Sequence, residues 1–258
     1  MTTVDKKAQV QAMYGAHAQA YTTSTVHAQG PSLERLVTQV APRGHELVLD
    51  VATGTGHNAL SFAPHVRHVI GLDLTPAMLA EACGLAQKRA IPNVGFFQGD
   101  SEHLPFASQS FDVVTCRVAP HHFPDVARAL REMARVCRDD GCVAVVDNIT
   151  PEDAAACAYI NAWEILRDPS HHWAYPLSQW RQFFAQAGLA IAYEEVTPKP
   201  MEFVSWATRM GISETAVAEV RRLLLDAPPL PRERLNPRLE AGKEYFDLTE
   251  ALFIARQA

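Results

Sequence analysis

Apolar and polar positions follow two rhythms along this chain, and each change of rhythm marks an element. Short apolar runs predict strands over residues 46–51, 68–72, 94–98, 111–116 and 142–146. Stretches with helical spacing lie between them. One begins near His57. A second opens at Thr75-Pro76, with Thr75 as N-cap and Pro76 at the first helical position, where a missing N–H costs nothing. A third covers 124–137, where Val126, Leu130, Met133 and Val136 fall close to one face. Strands alternating with helices predict parallel βαβ units and a sheet covered on both faces.

Beyond residue 150 the pattern changes. Helices are predicted over 154–166, 177–186, 201–208 and 213–225, and strands over 189–196 and 251–255. The proline-rich residues 228–237 read as an ordered connection between the last helix and the last strand. Trp163, Trp173, Trp180 and Trp206 all fall in this later part. They form the core of a late subdomain, or some of them line an apolar pocket over the sheet.

Composition narrows the class. The 258 residues are 48% hydrophobic, enough for a full core and unlike a disordered chain. Lys plus Arg number 23 against 29 Asp plus Glu, a formal net charge of −6. With no basic block, no nucleic-acid partner is expected, nor a helix lying on an anionic membrane. No apolar run approaches the ~20 residues of a membrane span. Residues 1–10 lack the apolar segment of a signal peptide. Cys83, Cys116, Cys137, Cys142 and Cys157 are odd in number and include no Cys-x-x-Cys pair, so neither a disulfide framework nor a zinc knuckle is expected. The expectation is a cytoplasmic protein without stable membrane insertion, a monomer or homodimer.

The chemistry concentrates in VLDVATGTG, residues 48–56, and in Asp73 at the end of the next strand. A strand feeding a Gly-rich turn and then a helix presents bare backbone N–H groups to a ligand. At Gly54 and Gly56 a Cβ would intrude on that ligand. Asp73 stands one βαβ half-unit later, at the spacing of a ribose-binding carboxylate. Gly54-Thr-Gly56-His-Asn-Ala59 also fits G-x-G-x-x-A, so a dinucleotide competes with S-adenosylmethionine for this turn. Asp50 favours the latter, because a carboxylate there holds an ammonium and repels a pyrophosphate. Gly99-Asp100-Ser101 follows the third strand, where an acid accepts from an adenine amino group. Leu74 and Met78 flank Asp73 and suit the adenine faces. Each piece has a plainer reading: Asp50 as a turn cap, Asp100 as a helix cap, Met78 as core.

Taken in order, VLDVATGTG, GLDLTPAML, GDSEHLPFASQSFDVVTCRVAPHHF and ALREMARVCRDDGCVAVVD resemble the class I S-adenosylmethionine-dependent methyltransferases. The likeness is strongest to the group related to ubiquinone/menaquinone-biosynthesis methyltransferases. The stretch from Tyr14 to Tyr21 and the later Arg167-Asp-Pro-Ser-His-His segment look like bacterial members of that group. Ala52 stands where many members have Gly.

The resemblance implies a Rossmann-like α/β fold with a seven-stranded, mostly parallel sheet whose last strand is antiparallel, plus a helical cap. It implies one methyltransferase domain over 1–258. Residues 1–30 would be an N-terminal lid, 44–150 the cofactor-binding core, and 151–258 the sheet completion with a cap around 200–245. It implies S-adenosyl-L-methionine as cofactor and S-adenosyl-L-homocysteine as product. Asp50, Ala52 and Gly54 would lie along the methionine moiety, and Asp73 would bind ribose. Leu74 and Met78 would contact adenosine, and Asp100 and Ser101 would hold adenine. Arg117 and Val118 would approach through their backbone, and Tyr14 and Tyr21 would belong to the lid.

An activated methyl group needs alignment with its acceptor and exclusion of water, with no metal. A base is needed only where the acceptor loses a proton. His121 and His122 follow the fourth strand, on the side of the sheet where ligands bind. His122 is the favoured base by its likeness to an active-site histidine in some small-molecule methyltransferases. His171 and Trp173 are expected to line an acceptor pocket, and Tyr14 or Tyr21 to offer an aromatic face to a sulfonium. The expected acceptor is a small molecule, apolar or aromatic. The alternatives are an NAD-dependent oxidoreductase and a catalytically inactive cofactor-binding scaffold. A nucleic-acid methyltransferase is disfavoured by the charge, and by Arg117-Val-Ala-Pro120 in place of an Asn/Asp-Pro-Pro-Tyr/Phe segment.

Overall fold

The structure, a computed structural model, describes residues 3–22 and 30–258. Helices α1 (Thr3–Thr22) and α2 (Pro31–Val40) precede the first strand. Then come β1 (Leu47–Val51), α3 (His57–Phe62), β2 (His68–Asp73), α4 (Pro76–Lys88), β3 (Val94–Gln98) and β4 (Phe111–Arg117). After a 3₁₀ turn, Pro120–His122, the chain forms α5 (Val126–Val136), β5 (Cys137–Asn148), α6 (Ala154–Arg167) and α7 (Leu177–Gln186). It ends with β6 (Leu189–Glu202), α8 (Phe203–Thr208), α9 (Glu214–Leu225), α10 (Pro229–Leu235), β7 (Arg238–Glu240) and β8 (Lys243–Gln257).

The strands pair in the order β3-β2-β1-β4-β5-β8-β6. β1 to β5 are parallel, and β8 is antiparallel to both β5 and β6. The expected seven strands and antiparallel last strand are therefore present, with β7 added as a short eighth against β8. The order reverses between β1 and β4. The crevice beyond the carboxyl ends of strands at such a switch point is where open α/β sheets bind ligands.

Alternation along each central strand feeds two cores. Leu49, Val51, Val114, Cys116, Val143 and Val145 face one side, packed under α5 (Leu130, Met133) and α7 (Trp180, Phe184). Val48, Val69, Val113, Ala144 and Val146 face the other, under α2 (Leu36) and α3 (Ala59, Phe62). Burying a side chain of this size contributes about 1.5–3 kcal/mol, which explains why these strands read as continuous apolar runs.

β6 and β8 are longer than their apolar segments. Their extensions carry alternating polar residues such as Thr197 and Lys199 and are held by the ladder they form together. At the far end of this ladder α6, α8, α9 and α10 enclose a separate cluster. Trp163 and Trp206 stack there at 4.6 Å, with Phe246 edge-on to both. Trp180 is buried among Phe183, Phe184 and Phe253, while Trp173 is only half-buried. The tryptophans are thus mainly core.

Residues 228–237 are a correction, since they contain the helix α10. Pro229 and Pro231 sit in its first turn, where no backbone N–H is needed. Asn236 ends it in the left-handed conformation, φ 44°. All five cysteines are free thiols. Among the described residues, no helix is long and apolar enough to cross a membrane.

Candidate active site

One cleft opens where β1, β2, β3 and β4 end, and α1 lies across it. Its floor is the turn after β1. Ala52, Gly54 and Gly56 all take positive φ, at 54°, 55° and 82°. A Cβ placed on Gly54 would meet no protein atom within 4 Å, so the space before its backbone is open. Gly56 differs from expectation. A Cβ there would lie 3.0 Å from the Ala82 methyl and from the Phe96 ring, so this glycine serves packing beneath the turn.

Asp50 reaches under the turn from β1. Its carboxylate accepts hydrogen bonds from Thr53 Oγ1 (2.6 Å), Asn58 Nδ2 (2.7 Å) and Thr115 Oγ1 (2.9 Å), tying the turn, α3 and β4 together. Burial pushes its pKa up, against these three donors. Asp73, at the tip of β2, accepts from the Gly54 N–H and the Thr75 N–H, both at 2.8 Å. Burial pushes Asp73 up as well. Thr75 occupies the N-cap of α4 without a side-chain cap bond, and its own N–H donates to Asp73.

Leu74, Met78, Asp100 and Ser101 line the next part of the cleft. Here α1 is pinned down. Lys7 Nζ lies 2.7 Å from both Asp100 and Glu102, and Gln11 Nε2 donates to the Leu74 carbonyl at 2.8 Å. Thr22 donates to Glu81 of α4 at 2.7 Å. Burial alone would raise Asp100, but the Lys7 ammonium and the Glu102 N–H hold its carboxyl below the usual range. Met78 is buried against Tyr21 and Met210, so it is both core and lining.

The opposite end of the cleft follows β4. Arg117 donates to Ser32 Oγ of α2 at 3.1 Å. Val118 takes φ 53°, a strained conformation for a β-branched residue, and it lines the cleft. Then come the two histidines. His121 Nδ1 lies 2.6 Å from Asp147 Oδ1 on β5. With the proton on Nδ1, the lone pair of Nε2 is left over, and Nε2 has no partner among the described residues. Burial lowers the His121 pKa, but the Asp147 carboxylate more than offsets it and the net shift is upward.

His122 is bound at both nitrogens. Nδ1 meets the Ser170 carbonyl at 3.1 Å, and Nε2 accepts from the Tyr14 hydroxyl at 2.6 Å. Burial and the neighbouring His121 push its pKa down to about 3. The Nε2 lone pair that a base would use is thus occupied by Tyr14 in His122 and unoccupied in His121 among the described residues.

His171 and Trp173 do not line the cleft. The His171 ring is buried and bonded to Asn161 Oδ1 at 2.8 Å. The backbone N–H groups of His172 and Trp173 donate to the His121 carbonyl at 2.8 and 3.0 Å. This segment therefore fixes the backbone of His121. Among the described residues, no group of three or more His, Cys, Asp or Glu could hold a metal ion.

The structure adds lining residues to which the sequence assigned no site role, Asn148, Glu164 and Arg209 among them, and it places Arg167 and Asp168 of the family-like segment and Trp206 in the same cleft. They come from β5, the end of α6, and α8 with the residue after it, separated by long stretches of chain. His57 Nδ1, Asn58 Oδ1 and Asn148 Oδ1, all on cleft residues, are buried without a partner among the described residues. Buried polar atoms of this kind call for a partner that the described residues do not supply. The open Gly54 backbone, the Asp73 and Asp100 carboxylates and these orphaned atoms together fit a ligand bearing hydroxyls, an amine and a cation.

Residues 49–145 match the family described as a methyltransferase domain. An uncharacterized methyltransferase, YcgJ of Bacillus subtilis (strain 168), is 39% identical over 198 residues, covering 77% of this chain and 78% of that protein. The crystal structure of YcgJ superimposes with a TM-score of 0.83 at 35% identity, covering 88% of this chain and 99% of that one. A demethylmenaquinone methyltransferase of Chlorobaculum parvum (strain DSM 263 / NCIMB 8327) is 38% identical over 117 residues, covering 45% of this chain and 46% of that protein.

Proposed function

This chain belongs to the methyltransferase family, and from that membership we propose that it binds S-adenosyl-L-methionine in the cleft and methylates a small molecule, releasing S-adenosyl-L-homocysteine. The observation that carries the reading is the Asp73 carboxylate, held at the floor of the cleft by the Gly54 and Thr75 N–H groups. Two ribose hydroxyls can donate to it. An acidic turn of this kind, with Asp50 behind it, repels the pyrophosphate of a dinucleotide, which disfavours the oxidoreductase reading.

Leu74 and Met78 would cover the adenosine, with Asp100 and Ser101 at the adenine edge. Ala52 and Gly54 would border the methionine moiety, with Asp50 holding the turn and Arg117 nearby. Residues 1–30, of which 1, 2 and 23–29 lie outside the described residues, would act as a lid whose helix α1 is pinned through Lys7, and those around 200–245 as a cap over the acceptor end. Bound there, S-adenosylmethionine supplies a methyl group already activated by its sulfonium.

The chain's own part is positioning and proton removal. His121 Nε2, aimed by the Asp147 bond, would take the acceptor's proton as the acceptor atom attacks, and Asp147 would stabilise the resulting imidazolium. Tyr14 would close the cleft against water, held in place by His122.

The test is calorimetric. S-adenosylhomocysteine binds the protein and NADH does not, and Asp73→Asn weakens S-adenosylhomocysteine by about tenfold or more, the loss of a charge-assisted bond. Labelled methyl donor then transfers label to a small-molecule acceptor in a phenol, quinol and amine panel. Binding of NADH without binding of S-adenosylhomocysteine overturns the proposal, and cofactor binding with no transfer to any acceptor points to the inactive scaffold.

A further inference from the structure

The acceptor end of the cleft is more charged than an apolar substrate would tolerate. Arg167 and Arg209 both line it, and both act electrostatically on the Tyr21 hydroxyl. Arg167 is buried and held from two sides. Its Nε donates to the Trp206 carbonyl at 3.1 Å, and its guanidinium lies over the Trp206 ring at 4.9 Å. Those contacts use one N–H and one face. Among the described residues the terminal nitrogens make no hydrogen bond, and Nη1 forms an ion pair with Asp168 Oδ2 at 3.7 Å. Arg209 is half-buried and has no hydrogen bond, ion pair or ring partner among the described residues. Burial and the neighbouring Arg167 both lower its pKa, so the two cations share one low-dielectric space.

The acids nearby are already committed. Asp168 Oδ1 accepts from the Ser170 N–H and hydroxyl, and its Oδ2 makes only the long ion pair with Arg167. Glu250 pairs with Lys199 at 2.5 Å. Glu164 is buried, and burial pushes its pKa up toward the neutral form. A single carboxylate at 3.7 Å does not balance two cations in a buried space, and a planar guanidinium with free edge nitrogens matches a carboxylate or phosphate.

Resting on the methyltransferase reading above, we infer that the methyl acceptor is an anion whose carboxylate or phosphate group docks between Arg167 and Arg209, while its nucleophilic atom faces His121. The rest of the molecule would lie against Met201, Trp206 and Leu248. Arg167 and Arg209 are then specificity-determining residues.

The experiment uses the full chain saturated with S-adenosylhomocysteine. Matched sets of hydroxybenzoates, hydroxyphenyl phosphates and their neutral amides or methyl esters are titrated calorimetrically. An anionic set binds at least about tenfold tighter than its neutral partners, the difference a charged pair makes, and the preferred set separates carboxylate from phosphate. Arg209→Gln removes that preference while S-adenosylhomocysteine affinity and the melting temperature hold. Arg167→Lys, which keeps the charge but not the fork, gives an intermediate loss. Equal binding of anionic and neutral partners, or no binding of either, overturns the inference. So does a loss of S-adenosylhomocysteine affinity in Arg209→Gln at unchanged melting temperature, since the arginines would then serve the cofactor. Failure of the wild type to bind S-adenosylhomocysteine overturns the methyltransferase reading instead.

Discussion

His121 Nδ1 and Asp147 Oδ1 lie 2.6 Å apart, on the 3₁₀ turn after β4 and on the neighbouring strand β5. The pair gives the imidazole one orientation and one tautomer, which a lone histidine on a loop lacks. Asp147→Asn keeps the shape and removes the charge. For an acceptor that loses its proton, kcat falls by about 100- to 10,000-fold, the usual worth of general-base catalysis. S-adenosylhomocysteine affinity stays within a few-fold. His121→Ala behaves alike, whereas His122→Ala leaves the pH profile of turnover in place. Single-turnover rates measured against pH decide between the two histidines.

Tyr14 and His122 form a second pair, and it carries stability. Tyr14→Phe leaves His122 Nε2 without its donor in a buried site, at a cost of about 1–3 kcal/mol. Urea unfolding at neutral pH measures this. An unchanged midpoint would mean that the hydrogen bond contributes nothing net.

The same histidine predicts an acid instability. His122 titrates near 3 in the folded protein and near its ordinary 6.5 in the unfolded chain. Between those values the unfolded state binds the proton and the folded state refuses it. Stability from this group is therefore complete above about pH 6.5 and is lost as pH falls toward 3, with a slope approaching about 1.4 kcal/mol per pH unit. His121 works in the opposite sense, because its raised pKa favours the folded state until pH rises through that value. His122→Asn should flatten the acid side of the stability curve, and a slope equal to wild type would contradict the assignment.

Ala52 holds φ 54° without being glycine. A left-handed L-residue costs about 1–2 kcal/mol, and glycine's extra chain entropy costs about 0.5–1 kcal/mol. Ala52→Gly is therefore expected to stabilise the protein by up to about 1 kcal/mol, read from thermal unfolding. A marked destabilisation would show that the Ala52 methyl packs usefully.

Lys7 ties α1 to Asp100 and Glu102, the two acids beside β3. Lys7→Met removes that tie. Amide exchange in α1 is expected to accelerate by about tenfold, as for loss of a charged bond, with exchange in β1 and β4 unchanged. Equal exchange in α1 would show that its packing on α4 alone holds it.

The alternation of apolar runs and helical repeats determined the parallel core from Leu47 to Asn148, because strands buried on both faces must be apolar throughout. It also located the turn from Ala52 to Gly56 and the carboxylates Asp50, Asp73 and Asp100, since these stand at strand ends that the pattern itself marks. The polar extensions of β6 and β8 were not legible, because their ladder rests on cross-strand partners and not on their own apolar content. Nor was α10, whose prolines read as breakers until the first turn of a helix receives them.

The roles of the two histidines were decided only by tertiary structure. His121 and His122 are adjacent in sequence and chemically identical. One meets Asp147 from β5, and the other meets Tyr14 from α1 and Ser170 after α6. Nothing in the sequence assigns Arg167 or Arg209 a role in the cleft, although Arg167 opens a family-like segment. Folding buries one against Trp206 and brings the other beside it, because burial and charge environment depend on partners from distant segments.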